Sequence, residues 1–308
     1  MTQKPAKTLP TRLNLTLSFA ILALVLVQML VMPVLLAGYP WVMAAIILLL
    51  TPLNTPFWSL IHEAVHRNFT PYASSNEWAG RIMSIVFGAS FDVLRFGHLM
   101  HHQYNREWES EIYGTGQNRV VFALNHYFKM LGGLYVTEVL VSFMVAIAPP
   151  QVAQKIARAS FTDIRHQQAV LNGLLKPRIV NRMRLDCVLI VALYAGMFWL
   201  YGAHWPVALW LVGARAVIIS LMDNAYHYGT PGDNSVIAKE LAVPGPIARF
   251  ILNFNHHETH HRNVALSWVD LQKAHEDQGL TYTQGLGQAL FAQFKGPIKR
   301  PQTPLEGA

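Results

Sequence analysis

Residues 15–37 read LTLSFAILALVLVQMLVMPVLLA, 23 residues without a charge, and residues 41–61 read WVMAAIILLLTPLNTPFWSLI, another 21. Only the turn Gly38-Tyr39-Pro40 separates them. At about 1.5 Å per helical residue, each run crosses a hydrocarbon core of roughly 30 Å. A cleaved leader has a shorter apolar core, so the pair reads as a membrane hairpin. Pro52 and Pro56 fall inside the second run. They predict a kink and not a break, because neighbouring groups in a membrane bundle satisfy the carbonyls that proline frees.

The same pattern recurs further along. Spans near 185–203 and 206–226 flank the turn Gly202-Ala203-His204-Trp205-Pro206. Trp41 and Trp205 sit at the two turns, as residues of an aromatic belt do. The composition agrees. Hydrophobic residues make up 52% and charged residues 13%, with a mean hydropathy of +0.26. Soluble domains carry roughly a quarter charged residues, so a soluble globular enzyme, a disordered chain and a nucleic-acid binder are all disfavoured. The formal charge of +7 in so apolar a chain points to basic loops beside a membrane.

Those basic residues set the sidedness. Lys4, Lys7 and Arg12 precede the first span, and Lys155, Arg158, Arg165, Lys176, Arg178, Arg182 and Arg184 lie between the hairpins. Neither tight turn carries a lysine or arginine. By the positive-inside rule both termini and the central segment are cytoplasmic, in a multi-pass protein of the inner membrane. The expected organisation is one all-α membrane domain over 1–308. It has about four transmembrane helices in two hairpins and a helical cytoplasmic cap of residues 62–184 and 227–308. Two apolar stretches fit that scheme less simply. Residues 79–96 carry Arg81, Asp92 and Arg95 and read as an amphipathic or re-entrant piece. Tyr135 to Ala148 is only 14 residues with Glu138 inside, short for a crossing, so 112–150 reads either as interfacial or as part of a hairpin.

The 14 histidines are the unusual feature. His62 and His66 end the second span in HEAVH; His98, His101 and His102 occur in HLMHH; His257, His260 and His261 occur in HETHH. Spacings of three and four put imidazoles on one helix face. His227 follows the last span. All of these fall at or beyond the cytoplasmic ends of their spans, so nine imidazoles converge. That is about what two octahedral metals need once water and oxygen complete them. His256 offers a competing register with His260, but His257 repeats the HxxHH pattern of the second box. His126, His166, His204 and His275 lie outside any box and read as ordinary histidines. The single Cys187 rules out an internal disulfide framework and a cysteine-ligated cluster within one chain.

HEAVH at 62–66, HLMHH at 98–102 and HETHH at 257–261, between two pairs of spans, resemble the membrane fatty acid desaturase/hydroxylase superfamily, and most nearly a bacterial fatty acid desaturase. The resemblance implies a helical cap above four membrane helices. It also implies two iron ions held by histidines, with O2 as co-substrate, attacking an unactivated C–H bond of a fatty acyl chain or acyl lipid. Relatives with a ninth histidine often carry NxxxH at the end of the last span; here Asp223 stands four residues before His227 and Asn224 three before. Asp223, Asn224, Glu63 and Glu258 are therefore candidates to orient ligand imidazoles.

The iron ligands serve desaturation and hydroxylation alike, so a hydroxylase or ketolase of an acyl chain or carotenoid stays open. A membrane metal carrier is a remoter alternative, since carriers place ligands at mid-membrane. The chain shows no flavin, dinucleotide or haem signature. The expected partners are thus membrane lipids and a separate electron donor (a ferredoxin, rubredoxin or cytochrome b5-like carrier with its reductase), with no nucleic acid. Arg215, near the middle of the last span, is costly there; a structural role with an acidic partner is preferred over lining a substrate channel.

Overall fold

The computed structural model describes residues 9–104, 112–113, 118–160, 164–230 and 236–299. Lys4 and Lys7 of the basic tail lie outside them. The chain is almost wholly helical. Helix α1 spans Thr11–Leu35 and α2 spans Pro40–Val65. Then come α3 (Ala73–Phe87), α4 (Phe91–Tyr104), α5 (Arg119–Ile147), α6 (Pro150–Ser160), α7 (Ile164–Asn172), α8 (Pro177–Tyr201) and α9 (Trp205–His227). Short helices α10 (Gly245–Phe250), α11 (His257–Arg262), α12 (Leu271–Asp277) and α13 (Leu286–Ala292) follow. Among the described residues, sheet is limited to two parallel pairings of two residues each, Ile112–Tyr113 with Ile298–Lys299 and Leu241–Ala242 with Gln284–Gly285.

The apolar helices bury a stripe and leave the rest of their surface for lipid. On α1 the buried positions of the first four turns are Asn14, Ser18, Ile21 and Val25, spaced at three and four residues as one helix face requires. Phe19, Leu24, Leu49, Trp41, Leu189 and Trp199 are exposed, as suits a hydrocarbon surround. Helix α2 runs through its prolines. Pro52 frees the Leu48 carbonyl, which accepts instead from the Thr51 backbone N–H. Thr51 Oγ1 donates to the Ile47 carbonyl at 2.8 Å and Asn54 Nδ2 to the Thr51 carbonyl at 2.9 Å.

Helices α1, α2, α8 and α9 supply two hairpins, α8 and α9 being joined by the tight turn 202–204. Helix α5 differs from the sequence-based expectation. It runs 29 residues and is long and apolar enough to cross, because Arg119–Phe128 extends the short run seen from Tyr135. Parity decides how it lies. The His101 ring on α4 and the His227 ring at the end of α9 are 4.5 Å apart, so an even number of crossings separates them. Helices α8 and α9 already supply two, and α5 is therefore not a third. Its backbone breaks at Leu131–Gly132, with Gly132 at φ 117°. A Cβ on Gly132 would meet Ala216 of α9 at 3.3 Å, so glycine permits both the bend and the close approach.

The same reasoning applies to α3 and α4, bent by 103° at their break. His66 and His98 rings lie 4.9 Å apart, so this pair returns to the side it left. The elbow is held by charge. Arg81 on α3 reaches Asp92 of α4 at 2.8 Å and Asp186 of α8, and Arg182 of α8 reaches Asp92 and Glu77. Each buried ion thus has a partner, without which its burial would cost several kcal/mol.

Arg215 is fully buried, and its partners are not acids. Its guanidinium donates to the Val86 and Phe87 carbonyls at 3.0 and 2.8 Å, to Tyr194 Oη at 2.6 Å and to Asn54 Oδ1 at 2.9 Å. Two of those acceptors are the last carbonyls of α3, which a cation complements.

Candidate metal centre

Helix α2 carries His62, with His66 closing its last turn; α4 carries His98, His101 and His102; α9 ends on His227; α11 carries His257, His260 and His261. The structure gathers all nine. One nitrogen from each of His62, His66, His98, His102 and His260 forms a first group, and one from each of His101, His227, His257 and His261 a second. Within each group the nitrogens lie within 4.8 Å of one another. The groups adjoin, with the His102 and His261 rings 4.2 Å apart.

The nitrogen spacing is informative. His102 Nε2 is 2.9 Å from His98 Nε2 and 3.1 Å from His260 Nε2; His257 Nε2 is 3.0 Å from His227 Nε2 and 3.2 Å from His261 Nε2. Two ligands at right angles on metal–nitrogen bonds of about 2.1 Å stand about 3.0 Å apart. His62 Nε2 and His101 Nε2 are buried without a hydrogen-bond partner among the described residues, which is costly unless another acceptor of their lone pairs is supplied. The set fits two metal ions, and all-imidazole donors suit iron, copper, zinc or nickel.

Electrostatics point the same way. Burial, and then the neighbouring imidazoles, hold His98, His101, His257, His260 and His261 well below the ordinary histidine range, and burial brings His102 down to about 4. At neutral pH these rings are uncharged, the form that binds metal.

Packing fixes the rings. Phe254 meets His62 at 4.8 Å and His257 at 4.9 Å, Tyr226 stacks on His257 at 4.8 Å, and Trp58 meets His98 edge-on at 6.2 Å. His227 Nδ1 donates to the Ile237 carbonyl at 2.7 Å, leaving Nε2 to face the second group.

The four candidate orienting residues are placed as follows. Glu63 Oε2 accepts from Ser267 Oγ at 3.0 Å, tying the first box to the loop after the third. Glu258 pairs with Arg262 on its own helix. Asn224 Nδ2 donates to Gln293 Oε1 at 2.7 Å. Asp223 joins neither histidine group and lines a cavity beside it.

A residue that sequence reasoning missed lies behind the third box. Glu240 is fully buried. Its Oε1 accepts from the Thr259 backbone N–H at 2.6 Å and from Thr259 Oγ1 at 2.7 Å, and its Oε2 from His256 Nδ1 at 2.8 Å. With His275 it forms a third cluster of metal-ligand type. The bond from His256 to Glu240 explains why His256 turns away and His257 turns in. The pair Lys239-Glu240 inside the apolar stretch Val236-Ile237-Ala238 and Leu241-Ala242 was the available signal. His126 bonds the Gln293 carbonyl and His204 sits in the turn between α8 and α9.

A cavity of about 500 Å³ opens from the histidines, within the range of ordinary ligand sites. His98, His101 and His227 form one end, and Val93, Val141, Leu174 and Ile219 are among its apolar lining residues.

A family profile described as fatty acid desaturase matches residues 7–286. No curated protein and no solved structure matches the chain.

Proposed function

The chain belongs to the fatty acid desaturase family, and from that premise we propose that it is an O2-dependent desaturase of a fatty acyl or related lipid chain. Two iron ions are its cofactor, one held by His62, His66, His98, His102 and His260, the other by His101, His227, His257 and His261. The single observation behind this reading is that one apolar cavity ends on both histidine groups. Iron there supplies the one-electron chemistry and O2 activation that removal of hydrogen from an unactivated C–H bond demands, and that no side-chain acid or base offers.

The chain's own residues do the rest. The apolar walls of the cavity bind hydrocarbon and keep water from the reacting carbon. Trp58 and the α4 backbone at Gly97 stand beside His98 on the cavity wall and limit where the chain can lie, which is the positioning that decides the outcome. Electrons arrive from a separate carrier with its reductase, met on the basic cytoplasmic side, and both termini face that side. The N-terminal tail and the segment 151–184 carry the basic residues that support this orientation. The test is expression with a compatible reductase, followed by mass spectrometry of the total lipid extract. Loss of two hydrogen atoms from a host lipid is the expected result. A gain of one oxygen atom makes the enzyme a hydroxylase, and an unchanged extract with iron bound contradicts the assignment.

A further inference from the structure

The cavity lining is mostly apolar, with a handful of polar residues besides the histidines. Lys129, Thr137, Glu138, Ser220, Asp223 and Asn224 all line it. Most of these have work elsewhere. Thr137 Oγ1 donates to the Gly133 carbonyl at 2.7 Å, Asn224 is bonded to Gln293, Ser220 Oγ faces the Tyr135 backbone N–H at 3.4 Å, and Lys129 stands beside His126. The carboxylates of Glu138 and Asp223 differ: among the described residues neither has a hydrogen-bond or ion-pair partner. They come from two packed helices, α5 and α9, and are close enough to interact electrostatically.

Two half-buried carboxylates on the wall of an apolar cavity are costly unless something donates to them. In an apolar, ligand-sized cavity the missing donor is a group on the ligand. Two neighbouring acids do not both stay ionised; the one that keeps its charge accepts and does not donate, so a matching group carries O–H or N–H. Asp223 precedes His227 by one helical turn, about 6 Å along the axis. A group held by Asp223 therefore stands only a few bonds from a carbon presented to the histidine groups.

We propose that Asp223 and Glu138 together accept hydrogen bonds from a hydroxyl or amine on the substrate, so that the enzyme acts on a long-chain alcohol or amine near its polar end and not in mid-chain. This deepens the desaturase reading and rests on it. The two acids discriminate between substrates through the unpaired state they are left in by a chain without a donor, a form of selection that exceeds what added hydrocarbon contact provides.

The test is competition against a fluorescent alkyl probe bound to the full-length, iron-loaded protein in nanodiscs. The competitors are dodecanol, dodecylamine and dodecyl methyl ether, of which only the ether lacks a donor. The wild type should favour the alcohol or the amine over the ether by about tenfold or more. Whichever of the two competes better identifies the donor. Glu138→Gln and Asp223→Asn should each shrink that preference, and the double variant should abolish it while binding the ether as before. Equal competition by all three in the wild type, or a preference that survives the double variant, overturns the proposal. Iron content is measured alongside. If Asp223→Asn loses iron, Glu138→Gln alone decides, because Glu138 belongs to neither histidine group. Absent preference with desaturated lipid still formed refutes this inference alone, whereas intact preference with no lipid product refutes the desaturase reading.

Discussion

Arg215→Met tests whether a buried cation in the last span holds the second histidine box in place. Methionine keeps the length and apolar stem and deletes four donated hydrogen bonds. The loss is smaller than four bonds imply. The Phe87 carbonyl keeps Tyr135 Oη at 2.5 Å and the Val86 carbonyl keeps Tyr194 Oη at 3.0 Å. What is orphaned is Asn54 Oδ1, about 1–3 kcal/mol, together with the cation at the α3 C-terminus, at most about 2 kcal/mol. Relief of the buried charge offsets part of this. The net expectation is roughly 2–3 kcal/mol, a drop of about 4–12 °C in the unfolding midpoint. Tyr135→Phe in the same background then leaves the Phe87 carbonyl bare, so the double variant should exceed the sum of the singles by about 1 kcal/mol. Thermal unfolding in micelles reads both, with iron content as the second readout, since α4 with His98, His101 and His102 follows directly from this elbow. An Arg215→Met protein that unfolds within a degree of the wild type, or strictly additive singles, refutes the reasoning.

Three further outcomes are expected. His102→Ala removes the nitrogen between His98 and His260 and should lose iron and activity while the chain still inserts; His204→Ala, in the opposite turn, should leave both unchanged, as elemental analysis and lipid mass spectrometry will show. The metal-free protein should weaken as pH falls from about 6.5 to about 4. Burial depresses the folded-state value of His102 to about 4, so the unfolded chain binds protons that the folded chain does not, and stability is present above the unfolded value and lost below it; a denaturation midpoint that stays flat between pH 7 and pH 5 contradicts this. A cysteine probe at 168 and a reporter at the C-terminus should both report the cytoplasm, and a probe at 204 the outside; labelling of 168 only from outside breaks the four-crossing arrangement.

Much of this was legible because two signals are local. Uninterrupted apolar runs mark α1, α2, α8 and α9, and imidazole spacing of three and four marks helix faces that must point at something shared. Eight histidines picked out that way, with His227 picked out by its place after the last span, are the nine that the structure brings together in two groups. What the sequence hid depends on tertiary contact. Helix α5 reads as too short because Asn125, His126, Lys129 and the Gly132-Gly133 pair separate the apolar residues of Arg119–Phe128 from the run at Tyr135, while the bend at Gly132 packs on Ala216. Arg215 invites an acidic partner, but the end of a helix offers carbonyls instead. Glu240 has no spacing relation to the third box, since it reaches Thr259 and His256 through folding and not through periodicity. Glu63, Glu258 and Asn224 sit beside ligands in the sequence, yet Glu258 and Asn224 spend their hydrogen bonds on Arg262 and Gln293. Sequence adjacency to a ligand does not aim a side chain at it.

The central claim is that two histidine groups hold two metal ions at the end of one lipid cavity. Elemental analysis of protein purified from iron-supplemented cells tests it most directly. The account predicts about two irons per chain, both lost on chelation together with the lipid product and both restored with it. One iron or none per chain in protein that still forms the product would contradict it.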